Sequence, residues 1–248
     1  MPVWLEAGLW ALIGGLALVL GALVAWFVKV PQRVVAGVMA FGAGVLVSAL
    51  AFELVDEAEK TGGLLPTAGG FLGGAVAYVG VNLALARRGA RHRKRSSGQP
   101  SEQESKGSGA AIAVGALLDG IPESVVLGVS LLSGGGVGVA VLAAVFISNV
   151  PEGLSSVAGM KRAGRGAGYV FGVWGGIALA SGLAGLLGAL LLQEASGATI
   201  AAITAVAAGA ILAMLADTMI PEAFERAGLF SGLVMALGFL SAFAIDRA

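Results

Sequence analysis

The feature that most constrains this chain is a series of eight apolar stretches, each within the roughly 17–25 residues that a membrane-crossing helix needs. They run over about 4–28, 33–55, 66–86, 110–132, 136–160, 168–192, 197–220 and 229–245. Inside hydrocarbon every backbone N–H and C=O must bond within the protein, so only helices and closed barrels span it. Barrel strands would alternate in hydropathy over about ten residues, and no such alternation occurs here. The chain is 57% hydrophobic and 12% charged, where a soluble domain carries about a quarter charged residues. The expected fold is all-α, one polytopic transmembrane domain of eight helices over 1–248. The first stretch is too long for the apolar part of a signal peptide and lacks a basic start, so it reads as a retained helix. There is no cysteine, which excludes disulfides and thiolate metal sites.

Basic residues set the expected orientation, because Lys and Arg concentrate in cytoplasmic loops. Lys29 and Arg33 fall between segments one and two. Arg87, Arg88, Arg91, Arg93, Lys94, Arg95 and Lys106 fall between three and four. Lys161, Arg162 and Arg165 follow segment five, and Arg226 follows segment seven. All lie on one side, against Lys60 and Arg247 on the other, so both termini are expected outside. The plasma membrane of a bacterium or archaeon (the inner one where there are two) is the expected location.

The one long polar stretch, "RRGARHRKRSSGQPSEQESKGSG" over 87–109, cannot build a core and reads as a flexible cytoplasmic loop. It holds the sole histidine, His92, among basic neighbours. It divides three segments from five. Segment two ends "AFELVDEAEKTGG" and segment seven ends "LADTMIPEAFERAG", two similar acidic ends expected on opposite sides of the membrane. Such a pair suggests an inverted repeat, here 3+2+3. Spacings such as Gly182, Gly185 and Gly188 read as helix packing.

Three apolar stretches are interrupted by the same pair, Pro-Glu: "LLDGIPESVVLG", "FISNVPEGLSSV" and "LADTMIPEAFER". Asp119 and Glu123 are four apart and share a helix face, as do Ser148 and Glu152, with Asn149 beside them. Each helix-kinking proline lacks an N–H. Pro122, Pro151 and Pro221 therefore release the carbonyls of Leu118, Ile147 and Asp217. A lone carboxylate at mid-membrane costs about 2.5–3.5 kcal/mol on insertion scales. No Lys or Arg lies in the cores of segments four and five, so these acids are expected to hold protons, a cation or water. Each case describes a pathway. Glu53 in segment two and Asp217 and Glu222 in segment seven are candidate entrance and exit groups.

At these residues the chain resembles the ZIP (Zrt-, Irt-like) family of divalent metal transporters, in its bacterial GufA-like branch. The resemblance rests on Asp119-Gly120-Ile121-Pro122-Glu123-Ser124, on Ser148-Asn149-Val150-Pro151-Glu152-Gly153, and on "IPEAFE" closing segment seven. It implies a metal site between segments four and five, an elevator-like movement of a transport bundle, and ligands at Asp119, Glu123, Ser148, Asn149 and Glu152. Gly120, Ser148 and Gly185 stand where the family has a ligating Asn, a His or Gln, and a bridging Glu. A single-ion site is therefore the expected form. Its donors are all oxygen, which suits Mg, Ca and Mn better than nitrogen and sulfur sites do, so broad divalent specificity without strong zinc preference is expected.

The functional expectation is a secondary transporter, or permease, for divalent cations such as zinc, manganese or iron, with no permanently bound cofactor. The ion, the lipid bilayer and a second copy in a homodimer are the partners considered; no nucleic acid is. A rival is a ZIP-like scaffold that has lost its metal site and carries another solute or protons. An enzyme is not expected, since no nucleophile–base pair or His-Glu-x-x-His motif is present.

Overall fold

The computed structural model describes residues 1–90, 92–96, 98–101, 103–104, 106–133 and 139–247. Among them the fold is all-helical, with no strand. Seven helices are long and apolar enough to cross a membrane. They are α1 (Val3–Phe27), α2 (Gln32–Gly62), α3 (Leu64–Arg88), α4 (Ser108–Ser130), α5 (Val139–Arg162), α6 (Ala167–Leu192) and α7 (Gly197–Ala227). An eighth apolar helix, α8 (Phe230–Asp246), is shorter, at 17 residues. Arg91 and the expected start of the fifth segment at 136 lie outside the described residues.

The outside of the bundle is greasy. Leu72, Val76, Leu179, Leu183, Leu233 and Leu237 are all exposed, an arrangement that water punishes and hydrocarbon accepts. Small residues carry the packing between helices. A Cβ on Gly44 or Gly238 would collide with a carbonyl of the facing helix, at Met235 or Phe41. These two close α2 on α8. Gly74 and Gly209 do the same for α3 on α7, against Val206 and Phe71.

Two helices share an unusual build. Both α2 and α7 are 31 residues long. Each begins with 18 residues of α-helix, over Gln32–Ala49 and Gly197–Met214. Each then widens into a π-helical turn, at Leu50–Val55 and Leu215–Met219. Each ends on a glycine of positive φ, Gly63 at 83° and Gly228 at 57°, a conformation glycine adopts without steric cost. The packing is reciprocal as well. α1 lies against α6, α2 on α8 as α7 lies on α3, and α1 on α5 as α6 lies on α4. The helices α4 and α5 sit at the centre of this scheme.

Candidate cation site

The acidic residues of α4 and α5 are all buried. Asp119, Glu123, Ser148, Asn149 and Glu152 each expose 3% of their surface or less. Prolines 122 and 151 stand inside these two helices. Pro221 instead falls just after the π turn of α7, in the first turn of its last segment.

Two of the three carboxylates, Asp119 and Glu152, are partnered by the loop after α3. The composition of 87–109 is that of a flexible linker in solvent. The structure folds its centre back between the helices, and Arg93 and Lys94 are buried at 0% and 2% exposure. Arg93 grips Asp119 with a two-pronged fork, Nε to Oδ2 and Nη2 to Oδ1, both 2.8 Å. Tyr78 on α3 donates to the same Asp119 Oδ1 at 2.7 Å, and Arg93 Nη1 donates to Asn82 Oδ1 at 2.6 Å. Lys94 Nζ contacts Glu152 directly, lies 3.5 Å from Asp119 Oδ2 and 3.0 Å from the Met214 sulfur. The absence of basic residues from the cores of α4 and α5 therefore does not leave the acids alone: the cations arrive from a loop.

Burial by itself would lower the pKa of the Lys94 ammonium. Asp119, Glu152 and Glu123 outweigh that and hold it above the ordinary lysine value, because opposite charges nearby favour the charged form. Arg93, held by Asp119 in the same way, is charged at any pH of interest.

The loop is built to stay there. The Ser96 N–H donates to Glu222 at 3.0 Å and its hydroxyl donates to the same oxygen. Gln99 Nε2 donates to the Ser156 carbonyl at 3.0 Å, and Ser156 Oγ donates back to the Arg93 carbonyl. Arg95 pairs with Glu225 at 2.6 Å. Two glycines clear the space. A Cβ on Gly115 would press on Arg93, reaching Nε at 2.8 Å, and one on Gly159 would meet the Arg95 carbonyl and Gln99.

On α4 and α5 four buried oxygen acceptors remain without a hydrogen-bond donor: both oxygens of Glu123, Oε1 of Glu152 and Oδ1 of Asn149. The Asn149 amide is oriented by donating its nitrogen to the Gly14 carbonyl at 3.0 Å, which leaves the oxygen unengaged. Buried acceptors without donors are costly, and a hard cation is the partner that acceptors of this kind suit. Ser148 is less available, since its hydroxyl donates to the Val145 carbonyl one turn back. Among the described residues no three acidic or histidine side chains close up tightly enough to ligate one ion. Two of the carboxylates are turned to the loop cations instead.

Of the other singled-out residues, Glu222 and Asp217 adjoin the cluster and Glu53 lies apart. Glu222 is buried and accepts from Ser96 of the loop and from Ser155 on α5. Asp217 is exposed and accepts at 2.6 Å from Asn82, the residue that in turn accepts from Arg93. Glu53 is half-buried at the opposite end of the bundle, on a cavity of about 540 Å³ shared with Asp56, Glu57, Lys60 and Arg247. That cavity reaches Val126, three residues beyond Glu123 on α4. Gly185 leaves no room for a ligand. Its added Cβ would sit 2.5 Å from Ala11 Cβ, inside the packing of α6 on α1.

Tyr78, Asn82, Arg93, Lys94 and Ser96 are site residues that reading the sequence missed. One signal was present: three buried carboxylates require positive charge from somewhere, and only loops had any. No protein-family model matches the chain, and no curated protein matches it.

Proposed function

We propose that this protein is a membrane permease for divalent cations, drawn in a closed state in which two tethered side chains stand where the transported ion would bind. The observation that carries this reading is the set of partnerless buried oxygens on Glu123, Asn149 and Glu152, near the Lys94 ammonium. With Asp119, Glu123 and Glu152 ionised and Arg93 and Lys94 charged, the cluster sums to one negative charge. If the loop leaves, it sums to three, which a divalent ion balances far better than hydrocarbon or bulk water at that depth.

In this mechanism a cation collects at the cavity beside Glu53, Asp56 and Glu57 and sheds water. It is held by Glu123 and Glu152, with Asp119 and Asn149, once Lys94 and Arg93 withdraw. It then leaves past Glu222 on the side of the basic loops, which the distribution of Lys and Arg assigns to the cytoplasm. Both termini are then outside. The matched build of α2 and α7 and the exchange symmetry of the packing support an inverted 3+2+3 repeat, the architecture of alternating-access transporters. The oxygen-only donors favour magnesium, calcium or manganese, with zinc and iron entering from the ZIP resemblance. Uptake of manganese and zinc by proteoliposomes tests the reading. Glu123→Ala should abolish uptake while the protein still inserts and folds; undiminished uptake would remove the central site.

One observation favours a second reading. Arg93 and Lys94 already neutralise two carboxylates, as expected if the scaffold had lost its metal and carried another solute or protons. Thermal stabilisation by metal separates the two, because only a binder is stabilised by mass action.

A further inference from the structure

A second cavity, of about 340 Å³, opens at the basic end of the bundle between the end of α1, the turn into α2 and the last turns of α5. Leu154 and Ala158 lie one helical turn apart on α5 and form one wall; Ala25 and Val28 form the other. The same spacing carries on to Lys161 and Arg162, and the turn contributes Lys29. Three cations thus stand at the rim of an apolar slot, and no acidic residue lines it.

None of the three is paired with a carboxylate among the described residues. Their bonds are to neutral groups. Lys161 Nζ donates to the Trp26 carbonyl at 2.6 Å and lies over the Trp26 ring, 5.3 Å from its centre. Arg162 Nη1 donates to the Ser96 carbonyl at 2.5 Å. A carbonyl accepts a hydrogen bond without neutralising the donor, so three like charges remain close together around one cavity. Elsewhere at this end basic groups do meet acids, as Arg95 meets Glu225.

We infer that this slot binds the phosphate of an anionic phospholipid, with the headgroup at Lys29, Lys161 and Arg162 and an acyl chain along the apolar walls. Three features select a lipid over a soluble anion. The walls are alkyl, the slot lies where the apolar run of α1 ends at Phe27, and a tryptophan of the kind that marks membrane interfaces flanks it. Basic pockets between helices on the cytoplasmic side suit such headgroups. The inference does not depend on what the protein transports.

The test is thermal unfolding of the purified full-length protein in a neutral detergent, with added phosphatidylglycerol, phosphatidylcholine or inorganic phosphate. Phosphatidylglycerol should raise the melting temperature saturably, and the other two should not. In Lys29→Gln, on an exposed turn whose loss leaves the fold intact, the lipid should bind about fivefold weaker, as one interfacial cation removed implies. Lys29→Gln combined with Lys161→Gln should weaken it by a further step, with Lys29→Arg retaining wild-type affinity. Equal stabilisation by phosphatidylcholine, or an unchanged phosphatidylglycerol affinity in the double variant, overturns the site. Stabilisation by inorganic phosphate alone would assign a soluble anion and overturn the lipid.

Discussion

Lys94 Nζ contacts a Glu152 carboxylate oxygen and lies 3.5 Å from Asp119 Oδ2, so one ammonium from a loop bridges the two proline-containing helices α4 and α5. A lysine in that place has two consequences. It neutralises charge that hydrocarbon would otherwise reject, and it blocks any other cation from the same oxygens.

Removing Lys94 exposes the first consequence. Lys94→Gln keeps much of the volume but leaves Glu152 without its counter-charge. Breaking a buried pair from one side costs about 3–5 kcal/mol, so the variant should melt markedly lower than wild type in metal-free buffer. Unchanged melting would mean that the pair contributes nothing and that the loop is not seated by it.

Arg93 is held by geometry as much as by charge. Its fork on Asp119, with Tyr78 and Asn82 at its flanks, cannot be reproduced by an ammonium. Arg93→Lys should therefore destabilise nearly as much as Arg93→Gln. Tyr78→Phe, losing one hydroxyl, should cost about 1–3 kcal/mol. Urea titrations of the three variants decide this, and a fully stable Arg93→Lys protein would contradict it.

Gly115 offers a way to unseat the loop without altering any charge. Its added Cβ would press on Arg93 at Nε, 2.8 Å away. Gly115→Val should increase protease cleavage within the loop, read by mass spectrometry of the fragments, whereas Gly172→Val, with open space around its Cβ position, should leave it unchanged. Equal cleavage in both variants would show that the loop does not depend on this seat.

The ion pair also predicts a pH dependence. Lys94 is held above its ordinary value of 10.5. A folded-state pKa raised above the unfolded one gives stability that is complete below the unfolded value and lost as pH climbs through the folded one. Thermal melts from pH 8 upward should therefore show wild type losing its advantage over Lys94→Met only in the alkaline range above about 10.5. An advantage that is already gone at neutral pH would mean a neutral lysine.

The helices were legible in the sequence because hydrophobic run length is a one-dimensional property, and long apolar runs leave the backbone little choice but helix. The buried carboxylates were legible for the opposite reason. Asp119, Glu123 and Glu152 are expensive where they stand, so their presence demands a purpose. The loop was not legible. Its composition is that of a solvated linker, and what draws Arg93 and Lys94 inward is a three-dimensional fit: the space over Gly115, the acceptors at Ser156 and Glu222, and the unbalanced acids. The facing of Asp217 was not legible, because depth along a helix says nothing about facing: it is exposed while its neighbour Thr218 is buried. Gly185 shows the same limit, since only coordinates reveal that a side chain there would strike Ala11.

The central claim is that a tethered lysine and a divalent cation compete for one set of oxygens. Equilibrium binding of manganese to the purified wild type, Lys94→Gln, and Lys94→Gln with Glu123→Gln tests it directly. The account predicts binding about tenfold tighter in Lys94→Gln, a gain of roughly 1.4 kcal/mol, and loss of that binding when Glu123 is also neutralised. Identical affinity with and without Lys94, or tight binding that survives the loss of Glu123, would contradict it.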